Sequence, residues 1–88
     1  MIRRRVVVSG RVQGVFFRET IRHLAEQEGV AGSIRNRSDG TVEAVFEGEP
    51  DAVERLVEAC RTGPPLADVA GVRVTDEEPE SLQGFATD

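Results

Sequence analysis

Few side chains in this 88-residue chain are suited to chemistry, and most of those cluster early. The stretch Gly10-Arg11-Val12-Gln13-Gly14-Val15-Phe16-Phe17-Arg18 follows an apolar run, Val6-Val7-Val8, and leads directly into a helical pattern. A loop between a strand end and a helix start is suited to an anion. Free backbone N–H groups point outward there, and the helix dipole adds partial positive charge. Gly10 and Gly14 let the backbone curl without a Cβ penalty, so that neighbouring N–H groups can converge into a concave nest. Arg18 supplies a planar, permanently charged fork that matches the oxygens of a phosphate. Other reactive side chains are isolated. His23, the only histidine, falls one step off the apolar stripe of the helix and has no carboxylate or cysteine at ligand spacing. Cys60, the only cysteine, falls on the buried stripe of a second helix and is expected in the core. No serine–histidine pair, positioned cysteine or metal-ligand set is evident.

The elements that must position this loop follow from periodicity. Ile2 to Ser9 reads as a strand, with Val6 and Val8 on one face and Val7 on the other. Phe17 to Glu28 reads as a helix, its stripe formed by Phe17, Ile21, Leu24, Ala25 and Glu28, with Gly29 at its end. Val30 to Arg37 and Thr41 to Gly48 read as strands joined by Ser38-Asp39-Gly40, a strong hairpin signal. In the second of these, Val42, Ala44 and Phe46 share one face, and Glu43 and Glu47 are expected on a wet one. Gly48-Glu49-Pro50-Asp51 opens a second helix, with Val53, Leu56, Val57 and Cys60 inward and Thr62-Gly63-Pro64-Pro65 ending it. Leu66 to Asp76 holds a fourth strand, with Val72 and Val74 inward and Gly71 at a bulge. Gly84-Phe85-Ala86 is a possible short extra edge strand anchored by Phe85.

Strand, helix, strand, strand, helix, strand is the order of an α+β, ferredoxin-like split βαβ sandwich. The expectation is a four-stranded antiparallel sheet, order 4-1-3-2, with two helices on one face. Strands 1 and 2 then run parallel, and both end at the same edge of the sheet. The topology brings Arg18 and Asn36 together there, with Arg11, Arg35 and Arg37 nearby.

Length and composition agree with a single domain over residues 1–88 and an ordinary apolar core. No run is long enough to span a membrane. The apolar run after Arg3-Arg4-Arg5 is too short for a signal peptide and has no small-residue cleavage site, so a cytoplasmic protein is expected. A lone cysteine fits a reducing compartment. A net charge of −5 argues against general nucleic-acid binding, and the three consecutive arginines read as exposed ends of a strand.

The run Gly10 to Arg18 also resembles the signature of the acylphosphatase family, G-x-V-Q-G-V-x-F-R, and matches it at every specified position. A second block of that family lies at Gly32-Ser33-Ile34-Arg35-Asn36, followed by Gly40, Val42 and Gly48. It departs from the family pattern at Ser33 and Ile34. The resemblance covers nearly the whole chain. It implies a cofactor-free, metal-free hydrolase that cleaves the carboxyl–phosphate bond of a small-molecule acyl phosphate. Arg18, with backbone groups among Gln13, Gly14, Val15, Phe16 and Phe17, would hold the phosphate, and Asn36 would orient the attacking water. No nucleic acid, membrane or second protein is implied, and a monomer is expected. Two other classes fit parts of the sequence. One is a non-catalytic module binding an anion or carbamoyl phosphate, which would carry the same loop without turnover. The other is an RNA-binding sheet, which would need exposed aromatics on central strands that this chain does not supply.

Overall fold

A computed structural model describes all residues, Met1–Asp88. The elements are β1 (Ile2–Arg11), α1 (Phe17–Glu28), β2 (Ala31–Asn36), β3 (Val42–Gly48), α2 (Pro50–Thr62), β4 (Asp68–Glu77) and β5 (Phe85–Thr87). They form one sheet in the order β4-β1-β3-β2-β5, the expected arrangement extended by the short edge strand. β1, β2, β3 and β4 pair antiparallel, whereas β5 runs parallel to β2 with Gly32 opposite Phe85.

Burial explains the layers. Val6 and Val8 of β1, Ile34 of β2 and Val42, Ala44 and Phe46 of β3 point to one face. Phe17, Ile21 and Ala25 of α1 and Val53, Leu56, Val57 and Cys60 of α2 close onto it, all in one apolar cluster. Each valine, leucine, isoleucine or phenylalanine among them contributes about 1.5–3 kcal/mol on leaving water, which sets the sheet register far more firmly than hairpin geometry alone. α1 ends at Gly29, whose left-handed backbone (φ 69°) returns its N–H to the last turn. α2 starts at Glu49, whose carboxylate accepts the Ala52 N–H at 3.1 Å, with Pro50 at the first helical position. The bulge between β1 and β4 falls at Ala70, one residue before the glycine expected there: Ser9 pairs with Gly71 and Gly10 with Val69.

Gly32 has a particular role. It sits in register between Phe46 on β3 and Phe85 on β5. With no side chain between them, the two rings stack with centroids 5.9 Å apart and planes at 17°. Such a pair adds about 0.5–1.5 kcal/mol beyond area burial, a useful anchor for a strand of only three residues. The backbone at Gly32 (φ 142°) would aim a Cβ to within 1.8 Å of the Val45 carbonyl oxygen, so no larger residue fits.

The face of the sheet away from the helices is not uniformly wet, which corrects two expectations. Glu47 is 1% exposed, because the segment between β4 and β5 crosses over it. Arg3 is buried as well, and the three N-terminal arginines are paired rather than free. Arg3 Nε meets Glu77 at 2.8 Å, Arg4 Nε meets Asp76 at 2.8 Å, and Arg5 bridges Glu77 and Glu43 at 2.6 and 2.8 Å. Cross-strand register explains this, since β1 lies between the acidic positions of β3 and β4.

Candidate active site

The loop from Val12 to Phe16 leaves the end of β1 and delivers the chain into α1. Val12 and Val15 are buried and pin it to the core, while Gly14 (φ 73°) and Phe16 (φ 65°) take left-handed backbone conformations. Phe16 is the cap residue of α1, with no side-chain hydrogen bond to the helix. A bulky residue in that conformation stores roughly 1–3 kcal/mol, and such strain persists where the surroundings enforce it, often at functional sites. No backbone N–H from Gln13 to Glu19 donates to another backbone group, and the first in the helix to do so is Thr20, to Phe16 O at 3.1 Å. These free donors lie beside the positive end of α1, in the loop that the sequence reading takes as an anion cradle.

The cradle opens into a cavity of about 370 Å³ lined by Val12, Gly14, Phe16, Phe17, Arg18, Glu19, Asn36 and Thr87. Arg18 and Asn36 reach it from different elements. Arg18 is in the first turn of α1. Asn36 ends β2, on the same face as buried Ile34, so alternation turns its amide toward the helix layer and the cavity. One NH group of the Arg18 guanidinium donates to the main-chain oxygen of Asp88, directly after β5. Glu19 places a carboxylate on the cavity wall. Arg22 bonds it at 2.9 Å and holds it below the usual carboxylate range, so its charge is engaged by a neighbouring cation.

Gln13 and Val15 do not line the cavity with their side chains. The Gln13 amide instead donates to the carbonyls of Arg37 and Thr41 at 2.8 and 2.9 Å, tying the loop to the β2–β3 hairpin. Of the four arginines expected at this edge, only Arg18 lines the cavity. Arg35 bonds Glu43 at 2.7 Å on the open face, and Arg37 lines a separate depression there with Arg73. Strand alternation is the reason: Asn36 faces the helices, so its two neighbours face away. Arg18 is therefore the one guanidinium on the cavity wall, beside the Glu19 carboxylate. Sequence reasoning missed Glu19 and Thr87. Glu19 was detectable as the residue after Arg18, whereas no local signal places Thr87.

His23 is exposed on α1 and takes no part in the cavity. Cys60 is fully buried, and burial pushes its thiol up to about 12.

The fold and cavity together define a small α+β domain in which Arg18, at the start of α1, and Asn36, at the end of β2, line one cavity. The acylphosphatase family model matches residues 4–87. An acylphosphatase from Rubrobacter xylanophilus is 62% identical over 83 residues, covering 92% of this chain and 74% of that protein. One from Gloeobacter violaceus is 55% identical over 84 residues, covering 96% and 90%. The crystal structure of acylphosphatase from Bacillus subtilis superposes with a TM-score of 0.96 at 37% identity, covering 100% of this chain and 99% of that one. The chain belongs to the acylphosphatase family.

Proposed function

We propose that this protein hydrolyses the carboxyl–phosphate bond of acyl phosphates, releasing a carboxylate and inorganic phosphate. The observation that carries the proposal is the convergence of unpaired loop N–H groups, the Arg18 guanidinium and the Asn36 amide on one cavity. An acyl phosphate is a mixed anhydride. Its leaving group is a carboxylate, which departs without a strong general acid, so catalysis can rest on positioning and charge stabilisation. The N–H groups from Gly14 to Arg18 and the guanidinium hold the phosphoryl oxygens and the charge that grows on them. Asn36 hydrogen-bonds a water and aims it in line at phosphorus. The water O–P bond forms as the P–O bond to the acyl group breaks. The electron pair leaves with the carboxylate, and the water proton passes to the phosphate product or to solvent.

The exposed ring of Phe16 at the cavity mouth offers an apolar surface to the acyl part of a small substrate. A monomer in a reducing cytoplasm completes the proposal. The single cysteine is buried and unpaired, and no helix is long and apolar enough to cross a membrane. The test is hydrolysis of a small aryl acyl phosphate by the purified chain, with and without chelator. Turnover unaffected by chelator is expected. Absence of turnover, with retained phosphate binding, would leave only an anion-binding module.

A further inference from the structure

The most buried carboxylate in the molecule lies at the far end of β3 from the cavity. Glu47 accepts the Glu80 N–H on one oxygen and the Leu82 N–H on the other, both at 2.7 Å. Ser81, between those donors, has a left-handed backbone (φ 58°), so the flanking N–H groups turn to the same side and cradle the carboxylate. Arg3 completes the cluster: its NH1, a buried nitrogen without a hydrogen bond, faces Glu47 at 3.6 Å, while its Nε holds Glu77 at 2.8 Å. A charged group this deep is expensive to keep without a task, and its only hydrogen-bond donors belong to the chain that crosses it.

That chain continues to the cavity. After Leu82, the Gly84 carbonyl accepts the Gly32 N–H at 2.9 Å, Phe85 stacks on Phe46, and Asp88 N–H donates to Ile34 O at 3.0 Å. Thr87 then lines the cavity, and the Asp88 main-chain oxygen accepts from Arg18. β5 is only three residues long, too short to hold its place by ladder bonds alone. We propose that Glu47 is a positioning residue for the reaction: it clamps residues 80–82 and so sets β5, Thr87 and Asp88, against which the Arg18 guanidinium is oriented. The proposal rests on Arg18 as the phosphate-binding group. Its consequence is specific. With the clamp released, Arg18 must be ordered by the incoming phosphate, so binding weakens more than the chemical step.

The test compares Glu47→Gln, which puts an NH2 group against one N–H donor, with Ser81→Val, which disturbs the same turn from the exposed surface without touching the core. Ser81→Gly and Glu43→Gln are controls. The first keeps the left-handed turn, and the second removes a paired carboxylate that makes no bond to the crossing segment. For Glu47→Gln and Ser81→Val, KM and the phosphate inhibition constant are expected to rise about tenfold, with kcat within about threefold of the parent. Amide exchange at Gly32 and Asp88 should accelerate in the same two variants. Both controls should keep the parent KM. If Glu47→Gln does not fold, Ser81→Val decides. Parent-like KM in the clamp variants, alongside lost phosphate binding in Arg18→Ala, overturns the positioning role alone. Parent-like phosphate binding in Arg18→Ala overturns the assignment of Arg18 itself.

Discussion

Gln13 and Arg37 are joined by a hydrogen bond of 2.8 Å from the Gln13 side-chain amide to the Arg37 carbonyl. The bond ties the loop between β1 and α1 to the residue immediately after Asn36, and a second, at 2.9 Å, reaches the Thr41 carbonyl across the hairpin. The spacing between the N–H cradle and the Asn36 amide is thereby held by one side chain from the loop. Gln13→Leu, similar in shape but without donors, should cost about 0.5–1.5 kcal/mol for each hydrogen bond lost, because both carbonyls keep a backbone donor, Gly40 N–H on Arg37 and Arg37 N–H on Thr41. Turnover should fall about tenfold or more through the displaced amide. Denaturant unfolding and steady-state kinetics on the same preparation separate the two effects. Unchanged kinetics in the destabilised variant would show that the tie serves stability only.

Asn36→Ala and Arg18→Lys should fail differently. The first removes water placement and leaves the cradle whole, so kcat should drop about 100-fold or more while phosphate inhibition stays near the parent value. The second exchanges a bidentate fork for a point charge, so phosphate binding and rate should both suffer. Inhibition constants for inorganic phosphate, measured beside kcat, discriminate the two patterns.

Gly14 and Gly32 both hold positive φ, yet alanine should affect them unequally. A Cβ at Gly14 (φ 73°) meets nothing within 4 Å, so only backbone strain of about 1 kcal/mol is expected. A Cβ at Gly32 would lie 1.8 Å from the Val45 carbonyl oxygen and force β2 from β3, also separating Phe46 from Phe85. Gly32→Ala should cost more than about 4 kcal/mol or prevent folding. Thermal unfolding of the pair checks the difference. For a domain of this size, Gly14→Ala should lower Tm by roughly 4–8 °C.

The carboxylates of the open face predict an acid limb. Hydrogen bonds from Arg5 and then Arg3 hold Glu77 below its ordinary value of 4.5, and the Glu80 N–H does most to lower Glu47. Burial pushes Glu43 up, but bonds from Arg35 and Arg5 outweigh it and leave it lowered. Each group binds its proton more weakly folded than unfolded. Its stabilisation is therefore complete above about pH 4.5 and is lost as pH falls from there through the depressed folded values. The denaturant midpoint should decline over that window, and less steeply in Glu77→Gln. An unchanged slope in that variant would remove Glu77 from the account.

Cys60 should be silent. With its thiol pushed up to about 12 and no exposed surface, almost no thiolate exists at neutral pH. A coloured disulfide reagent should react only after denaturant is added, and Cys60→Ser should leave kcat and KM unchanged. Rapid labelling of the native protein would contradict the buried placement.

Much of this architecture was legible before any coordinates. The bounds of α1 coincide with its apolar stripe, and the hairpin falls at Asp39-Gly40 as its dipeptide indicated. These features are local, set by periodicities and turn preferences within a few residues. The glycine-rich loop was legible for the same reason: its strand–loop–helix context is contiguous. What resisted inference was orientation across elements. Arg35 and Arg37 flank Asn36 and point to the opposite face, which follows once the face of Asn36 is known. Glu47 had the spacing of a solvent-facing residue and is buried because a distant segment covers it.

By itself, then, the sequence determined the element order, the strand–loop–helix junction at Gly10 to Arg18 and the convergence of Arg18 and Asn36 through parallel strand ends. Only the tertiary structure decided that the β4–β5 segment folds over Glu47, that β5 joins β2 across Gly32, and that Asp88 reaches Arg18. The reason is physical. Periodicity encodes which face of an element is apolar, whereas these contacts join polar groups far apart in the chain, and none leaves a repeating mark in the sequence.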